Sequence, residues 1–367
     1  MNRFAKEIIV ISVILIVSIC ISIPSYIKND KEYKVMREKE EANSKDWVVS
    51  TPESQGMNPE VLKRADKVLK RTDALSFLVV RHGRLVHESY YSSAGRDDYN
   101  NVFSVTKSFI SALTGIAIDR GYIKGIDEKI NIYLQGYYSQ INDTRKEEIT
   151  IKHLLTMTPG FVEDFSSWTG STDWIKHTIR LPLKYDPGQK FQYANSASHL
   201  LSAVLTKAVG KSMSEFADQC LFNELGIKDK KWTADPQGYT AGHANLYLRP
   251  RDMAKFGLLY LNKGMWNNKR VLSAEWVEES TKKHVDTEPE KTRGTPTGYG
   301  YKWWTFEEKG YYIYAAAGFG GQYICIIPDL DIVLVTTSLP GRRGSLDDNY
   351  RSVLIKEYII PSVNDKQ

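Results

Sequence analysis

Ser104 and Lys107 lie one helical turn apart, directly before an apolar run. Residues i and i+3 share one face of a helix, so the lysine amine can reach the serine hydroxyl. A serine hydroxyl alone is a weak nucleophile. An amine in apolar surroundings that favour its neutral form, at the positive end of a helix, can accept its proton. The pair is therefore a candidate nucleophile and base, and the alternative is a Lys107 that extends to the surface without a chemical role.

The tetrapeptide Ser-x-x-Lys is not specific by itself, because it occurs over residues 25–28, 104–107 and 280–283. Ser25 directly follows the N-terminal apolar run and Ser280 opens a strongly polar stretch, so both copies are expected on a solvated surface. Lys107 lies in an apolar helical pattern, where an unpaired ammonium group would be costly. These surroundings favour Ser104 as the nucleophile.

Length and composition are compatible with a large folded protein, since 42% of the 367 residues are hydrophobic. The formal net charge of +5 is small for this length, and the cationic residues form no stripe, which gives no support to nucleic-acid binding. None of the three cysteines, Cys20, Cys220 and Cys325, belongs to a Cys-x-x-Cys pair. The chain therefore predicts neither a disulfide framework nor a zinc site.

The N-terminus has the pattern of a membrane-targeting segment. Arg3 and Lys6 precede a nearly uninterrupted apolar run from Ile8 to Ile23. The residues that follow lack the small-x-small pattern preferred by signal peptidase, so we predict an uncleaved signal anchor over residues 1–28, with cleavage and secretion as the alternative. We expect residues 29–46 to form a polar spacer. Residues 47–367 are expected to form a catalytic body that is held outside the cytoplasm at the cell membrane.

Strand patterns lie at both ends of this body, with a mostly helical lobe, residues 120–285, between them. Residues 74–80 and 85–91 predict a hairpin. Further strands are predicted at 311–317, 322–327 and 332–337, followed by a helical pattern at 350–360. Strands from both chain ends around a helical insert predict an α+β fold, in which the two ends complete one antiparallel sheet beside a cleft.

A second motif, Tyr193-Ala194-Asn195, follows the first at a distance typical of one known group of enzymes. Together the motifs resemble the serine β-lactamase and penicillin-binding-protein superfamily, in the class C-related branch that also holds esterases, D-aminopeptidases and 6-aminohexanoate-dimer hydrolases. Two other Tyr-x-Asn triplets, at 99–101 and 260–262, lie too close to Ser104 and inside a helical pattern, respectively. Residues 149–161 and 251–257 are also similar to the branch, and we assign His153, Asp252 and Lys255 there to the scaffold.

The resemblance implies a β-lactamase/transpeptidase-like fold and an acyl-enzyme mechanism without metal or cofactor. Ser104 attacks a carbonyl, and Lys107 and Tyr193 relay its proton to the leaving group. The backbone N–H groups of Ser104 and of Phe319, after Gly318, are expected to hold the oxyanion. For Asn195 the resemblance implies a bond to the acyl-side carbonyl and an anchor for Lys107, and the alternative is a turn residue. Cleft walls are expected at residues 161–168 and around His243.

The third family motif differs in this chain. Relatives that bind penicillin carry Lys-Thr-Gly or His-x-Gly on the strand that edges the cleft, whereas Ala316-Ala317-Gly318 occupies that place here. The sequence Lys291-Thr292-Arg293-Gly294 lies in a polar loop and has an extra residue. Without a cation and a hydroxyl, the strand cannot bind a substrate carboxylate. We therefore predict a preference for small uncharged substrates.

Other enzyme classes lack their minimum parts, because the chain has no Gly-x-Ser-x-Gly elbow, no His-Glu-x-x-His or His-x-His-x-Asp metal pattern and no Gly-rich phosphate loop. The sequence predicts a membrane-tethered serine hydrolase that cleaves ester or amide bonds in small molecules or short peptides, without a nucleic-acid partner. The alternatives are a D-alanyl carboxypeptidase or β-lactamase, and a sensor in which the acylating site only binds.

Overall fold

The structure, a computed structural model, describes residues 46–139, 141–162, 168–287, 297–340 and 348–364. The chain divides into two units, Met1–Val49 and Ser50–Gln367, and the second unit contains the fold described below. The predicted signal anchor over residues 1–28 lies outside the described residues, as does the spacer except for Asp46. Within the described part, none of the helices has the length and apolar character needed to cross a membrane.

Thirteen strands are described, and eight of them form one antiparallel sheet in the order β2-β1-β13-β12-β11-β10-β9-β8. The strands are β1 Ala74–Arg81, β2 Arg84–Tyr90, β3 Asn100–Asn101, β4 Lys231–Trp232, β5 Leu246–Leu248, β6 Met265–Trp266, β7 Lys269–Arg270, β8 Val285–Asp286, β9 Gly298–Tyr299, β10 Trp304–Glu308, β11 Tyr311–Gly318, β12 Gln322–Ile327 and β13 Ile332–Ser338. The others form a small sheet β3-β5-β4 and a hairpin β6-β7.

The helices cover the main sheet or belong to the part of the chain between β3 and β8. They are α1 Pro59–Leu69, α2 Thr106–Asp119, α3 Gln135–Tyr138, α4 Ile151–Leu155, α5 Trp174–Arg180, α6 Asn195–Val209, α7 Met213–Ala217, α8 Pro250–Leu261, α9 Ala274–Thr281, α10 Asp348–Leu354 and α11 Ile360–Ser362. Short 3-10 turns and two π-helical turns, Asp218–Phe222 and Ile355–Ile359, complete the described helical segments.

The central strands are buried on both faces because helices cover the sheet on both sides. All of β12 and β13 and nearly all of β1 are buried, which explains their near-continuous apolar sequences. On one face, Phe77 packs in a cluster with Leu62 of α1 and Leu354 of α10. On the other face, α8 packs against β13, β12 and β1. The sheet is therefore the middle layer of the fold.

The predicted α+β fold with both chain ends in one sheet is confirmed for the described residues. Strand β1 pairs along its length with β13, so that Phe77 lies opposite Thr336. The predicted strands at 311–317, 322–327 and 332–337 match β11, β12 and β13 to within a residue. The middle region is mostly helical, but it also contains the short strands β4 to β7, which the sequence pattern did not predict.

Two features of this architecture position the cleft. The small sheet joins β3, directly before Ser104, to β5 through the pair Asn101 and Tyr247. On the main sheet, β10 pairs with residues 311–315 of β11 and begins at Trp304, opposite Ala315. Among the described strands, none pairs with residues 316–318 on that side. This end of β11 is an open edge beside the start of α2.

Candidate active site

Ser104 lies in a 3-10 turn, Phe103–Val105, that leads directly into α2. Lys107 follows in the first turn of α2, and its Nζ donates a hydrogen bond of 2.8 Å to Ser104 Oγ. The lysine side chain is 1% exposed, so it does not extend to the surface. The expected pairing of Ser104 with Lys107 is present in the structure, with the serine half-buried at the helix start.

The amine of Lys107 also lies 2.8 Å from Asn195 Oδ1 and 2.8 Å from the backbone oxygen of His243. Both oxygens only accept hydrogen bonds. The charged amine can donate to all three oxygens, whereas the neutral amine has two N–H donors and one lone pair. When the neutral amine donates to Asn195 and His243, its lone pair is available to the Ser104 hydroxyl. The arrangement therefore suits an amine that accepts the serine proton.

Tyr193 lies two residues before the first residue of α6, Asn195. Its ring is 36% exposed, and Lys107 Nζ lies 4.9 Å from the ring centroid. The ring also stacks on Trp304, with centroids 5.6 Å apart and planes 16° apart, and meets Tyr299 edge-on at 6.5 Å. Burial, and then the nearby Tyr193, hold the pKa of Tyr299 beneath this stack well above its usual range. Tyr299 therefore stays a neutral phenol, and Tyr193 is the accessible tyrosine of the pair.

The backbone of Gly318 lies against the start of the nucleophile turn. A Cβ atom on this glycine would come within 2.3 Å of the Val102 backbone oxygen and 3.2 Å of the Ser104 backbone nitrogen. The Gly318 carbonyl accepts a hydrogen bond of 3.3 Å from Gly321 N–H inside the turn. Because C=O and N–H point in opposite directions in a trans peptide, the Phe319 N–H is directed away from this turn. The geometry is compatible with an oxyanion hole built from Ser104 and Phe319.

Two groups of aromatic residues lie near Ser104. Phe319 is 64% exposed and meets the ring of Phe103 edge-on, with centroids 5.8 Å apart. The second group is the stack of Trp304 and Tyr193, next to Lys107. Phe103 has a positive φ of 45°, a conformation that is uncommon for a bulky residue, and its N–H is held by Asn101 Oδ1 at 2.9 Å.

Several residues beneath the site were not singled out by the sequence. His199, one turn after Asn195 on α6, donates or accepts through Nε2 at 2.9 Å from Asp235 Oδ2, and neither side chain is exposed. Lys302 is 2% exposed and its Nζ donates to Ser198 Oγ at 3.1 Å. The i to i+4 spacing of Asn195 and His199 is a signal that could have indicated a shared helix face. The pairings themselves join residues far apart in the chain.

The remaining expected residues lie in the following places. His153 caps α4, with its Nδ1 accepting from the Thr150 N–H at 3.2 Å. Asp252 and Lys255 form a buried ion pair of 3.5 Å on α8. Of the expected cleft wall, Phe161 and Trp168 are buried, whereas residues 163–167 lie outside the described part.

The third Ser-x-x-Lys copy differs from expectation. Ser280 is fully buried, not solvated, because the inner face of α9 packs into the protein, and its Oγ donates to the Val277 oxygen at 3.2 Å. Lys283 is exposed and pairs with Asp286 at 2.7 Å. Because the serine of this copy is buried and the lysine is exposed, the two do not form a catalytic pair.

Comparison with known families agrees with this geometry. The family model described as Beta-lactamase matches residues 63–354, which span the strands β1 and β13, both motifs and the cleft. The chain belongs to the beta-lactamase family. Members of this family and their close relatives are serine hydrolases, and the residues that this beta-lactamase-family chain brings together are Ser104, Lys107, Tyr193 and Asn195.

Among curated proteins, the beta-lactamase-family chain is 24% identical over 291 residues to the 6-aminohexanoate-dimer hydrolase of Paenarthrobacter ureafaciens, covering 74% of each chain. Among solved structures, it is similar to EstCE1, a hydrolase with promiscuous acyltransferase activity, with a TM-score of 0.68 and 18% identity over 83% of this chain and 98% of that one. The D-amino acid amidase of Ochrobactrum anthropi gives a TM-score of 0.65 and 14% identity, with 83% and 98% covered. At these identities the structural matches establish the fold.

Proposed function

We propose that this protein is a serine hydrolase that cleaves small uncharged esters or amides through an acyl-enzyme on Ser104. The observation that carries the proposal is the contact of 2.8 Å between Lys107 Nζ and Ser104 Oγ, made by a lysine whose other neighbours at the same distance are two acceptor oxygens. Catalytic pairs of nucleophile and base have this hydrogen-bond separation.

The first half-reaction moves one proton and exchanges one bond. Ser104 Oγ attacks the substrate carbonyl while its proton passes to the Lys107 amine, and the Oγ–C bond forms. The oxyanion is stabilised by the N–H groups of Ser104 and Phe319, a contribution on the order of a hundredfold or more in rate. Tyr193 then donates its hydroxyl proton to the leaving oxygen or nitrogen, whose bond to the carbonyl carbon breaks, and takes up the proton held by Lys107.

In the second half-reaction water attacks the acyl-enzyme. Tyr193, the accessible tyrosine beside Lys107, is our candidate for the base: it takes the proton of this water as it passes its own hydroxyl proton to the Lys107 amine. Asn195 holds Lys107 through Oδ1, and we assign the acyl-side carbonyl to its Nδ2, which is a hydrogen-bond donor. The Oγ–C bond then breaks, Lys107 returns its proton to Ser104 Oγ at 2.8 Å, and the acid product leaves the free enzyme.

The preference for uncharged substrates follows from the side chains around the cleft. The strand edge carries Ala316 and Ala317 in place of a cation and a hydroxyl, and the nearby aromatic residues Phe319 and Tyr193 are exposed. A carboxylate brought here would lose water without gaining a charged partner on this edge. Two structural neighbours support an acyl-transferring site: EstCE1 is a hydrolase with promiscuous acyltransferase activity, and the other is a D-amino acid amidase.

The proposal is tested by labelling with a fluorophosphonate and by turnover of p-nitrophenyl butyrate, a D-amino acid amide and nitrocefin. We expect covalent label on Ser104, release of p-nitrophenol, and loss of both in Ser104→Ala. Ser280→Ala, from the other Ser-x-x-Lys copy in the body, is the matched control and should keep both. Label on Ser104 without turnover would indicate a sensor, and label elsewhere would contradict the mechanism.

We also propose that the protein is held at the cell membrane by residues 1–28, with the catalytic body outside the cytoplasm. Support comes from the sequence alone, through Arg3, Lys6 and the apolar run from Ile8 to Ile23. Cell fractionation followed by protease treatment of intact cells tests it. Recovery of most of the protein from the medium would favour a cleaved signal.

A further inference from the structure

A buried pair, His199 and Asp235, lies behind the lysine of the site. Their side chains are fully buried and meet through His199 Nε2 and Asp235 Oδ2 at 2.9 Å. The second oxygen of Asp235 accepts from the backbone N–H groups of Gln237 and Tyr239, at 2.9 and 2.8 Å. The other ring nitrogen of His199, Nδ1, accepts from the Gly242 N–H at 3.4 Å. The carboxylate and the imidazole therefore hold the chain segment 235–242 at both ends.

The same face of α6 contacts this segment along two turns. A Cβ atom on Gly242 would lie 2.3 Å from the Ser198 backbone oxygen and 2.8 Å from Ser202 Cβ, so the backbone here lies directly on the helix. Ser202 Oγ donates to the Thr240 oxygen at 2.7 Å. Only a residue without a side chain fits such a close approach. The position of the segment is therefore set by α6.

His243 directly follows this segment, and the His243 backbone oxygen accepts a hydrogen bond from Lys107 Nζ at 2.8 Å. Asn195, on the face of α6 that carries His199, supplies another acceptor through Oδ1 at 2.8 Å. Two acceptors of the lysine thus depend on one helix, directly through Asn195 and indirectly through His199, Asp235 and the segment they hold. The position of this helix relative to the segment determines where the lysine amine lies.

From this arrangement we infer that His199 and Asp235 are positioning residues for Lys107. They set the place of the His243 carbonyl and so the orientation of the amine toward Ser104. The inference rests on the proposed function, because it assigns the pair to the same proton transfer. The alternative role as a metal site has no support, since among the described residues no cluster of three or more His, Cys, Asp or Glu could hold a metal ion.

The expected effect is on proton transfer more than on binding. An ammonium group gains more from a carbonyl acceptor than a neutral amine does. When the His243 carbonyl moves away, the charged form of Lys107 is therefore disfavoured and the neutral base persists to lower pH. The Tyr193 ring lies 4.9 Å from the amine, and His243 interacts with the amine electrostatically. Both residues are retained in the substitutions proposed here.

The chain offers a matched control in a second His–Asp pair. His87 Nε2 of β2 lies 3.1 Å from Asp66 Oδ2 of α1. In the sheet, β1, β13 and β12 separate β2 from β11 and the cleft. Substitution of His87 or Asp66 should change stability and leave the chemistry of Ser104 intact.

The test compares Asp235→Asn, His199→Phe and His199→Gln with Asp66→Asn, His87→Phe and His87→Gln in the full-length protein. Each is characterised by its melting temperature, by kcat and KM for p-nitrophenyl butyrate, and by the pH dependence of fluorophosphonate labelling. In Asp235→Asn the side-chain NH2 group can face the Nε2–H of His199, and two donors form no hydrogen bond. His199→Gln retains a donor near the position of Nε2 and is the conservative variant.

We expect Asp235→Asn and His199→Phe to lower kcat on the order of tenfold, with KM nearly unchanged, and to move the acid limb of the labelling profile to lower pH. His199→Gln should recover most of this loss. The control variants should lower the melting temperature without moving the profile. If Asp235→Asn does not fold, Ser202→Ala provides a milder displacement of the segment and should move the profile in the same direction.

Equal profiles for the His199, Asp235 and control variants, with wild-type Ser104 labelled and active, would overturn the positioning role and leave the proposed function standing. Absence of labelling at Ser104 in the wild type would overturn the proposed function itself. A smaller effect of His199→Phe than of His199→Gln would also contradict the inference. The loss of activity would then not depend on the hydrogen-bond donor to Asp235, which Gln keeps and Phe lacks.

Discussion

The rings of Tyr193 and Trp304 are stacked at a centroid distance of 5.6 Å, with planes 16° apart. The indole covers one part of the phenol, and the lysine amine lies 4.9 Å from the same ring. Trp304 is the first residue of β10, and its backbone pairs with Ala315 of the cleft strand. The main sheet therefore holds the tyrosine that we assign to the proton relay, although Tyr193 itself belongs to the helical lobe.

Tyr193→Phe should reduce acylation by about a hundredfold or more, because it removes the hydroxyl of the proton relay and keeps the ring in the stack. The burst rate with p-nitrophenyl butyrate measures this step. Tyr99→Phe alters an exposed tyrosine from another Tyr-x-Asn triplet and should behave as wild type. Full activity of Tyr193→Phe would assign the relay to another residue.

Gly318→Ala should impair both the oxyanion hole and the fold. The added Cβ would come within 2.3 Å of the Val102 backbone oxygen, so the end of β11 must move away from Ser104. We expect acylation to fall by about a hundredfold and the free energy of unfolding by about 1–3 kcal/mol. Gly136→Ala, at a helical glycine with open space around it, is the control. Single-turnover acylation and urea unfolding measure the two effects.

Removal of the negative charge from a β-lactam should improve it as a substrate. Penicillin G and its methyl ester share a ring and a side chain, and only the carboxylate differs. Because Ala316 and Ala317 provide neither a cation nor a hydroxyl, each missing charge-assisted bond costs about 1.5–3 kcal/mol, or roughly ten- to hundredfold in rate. We expect faster acylation by the methyl ester, measured by mass spectrometry. Efficient turnover of nitrocefin would contradict this prediction.

The protein should lose stability in mild acid through His243. Burial, then Lys107, then His199 lower the pKa of this histidine to about 2, whereas in the unfolded chain it is about 6.5. As the pH falls below 6.5 the unfolded chain takes up a proton that the folded protein does not. Between pH 7 and pH 5 this residue alone should reduce the free energy of unfolding by about 2 kcal/mol.

Urea unfolding of the wild type and of His243→Gln at the two pH values measures that difference. The variant lacks the titrating group, so its stability should fall less between pH 7 and pH 5. A parallel decline of wild type and variant would show that His243 can be protonated in the folded protein.

Sequence patterns predicted the parts of the site that depend on neighbours in the chain. Ser104 and Lys107 are one turn apart, so their contact could be expected from spacing, whereas Tyr193 and Asn195 were assigned through the family resemblance. The strands β11, β12 and β13 were predicted because each is a β-branched or aromatic run bounded by Gly or Pro-Asp. The two-residue strands β4, β6 and β7 are too short to show a period.

The contacts that join distant segments were not predictable in the same way. The His243 acceptor is a backbone oxygen, which every residue type carries, so no residue pattern indicates it. The pair of His199 and Asp235 forms only when the segment 235–242 lies on α6. The burial of Ser280 likewise depends on which face of α9 packs inward, and the polar residues after it indicated the opposite.

The place of β13 between β1 and β12 has a consequence for the order of events during synthesis. The hairpin of β1 and β2 emerges from the ribosome long before its partner strand, and α2 emerges long before β11. Pairing across such a separation in sequence is slow, because the chain must close a long loop before the contacts form. The nucleophile turn therefore meets the Gly318 backbone only after β11 has been made, so a chain that stops before β11 carries Ser104 and Lys107 but lacks the Phe319 N–H that we propose for the oxyanion hole.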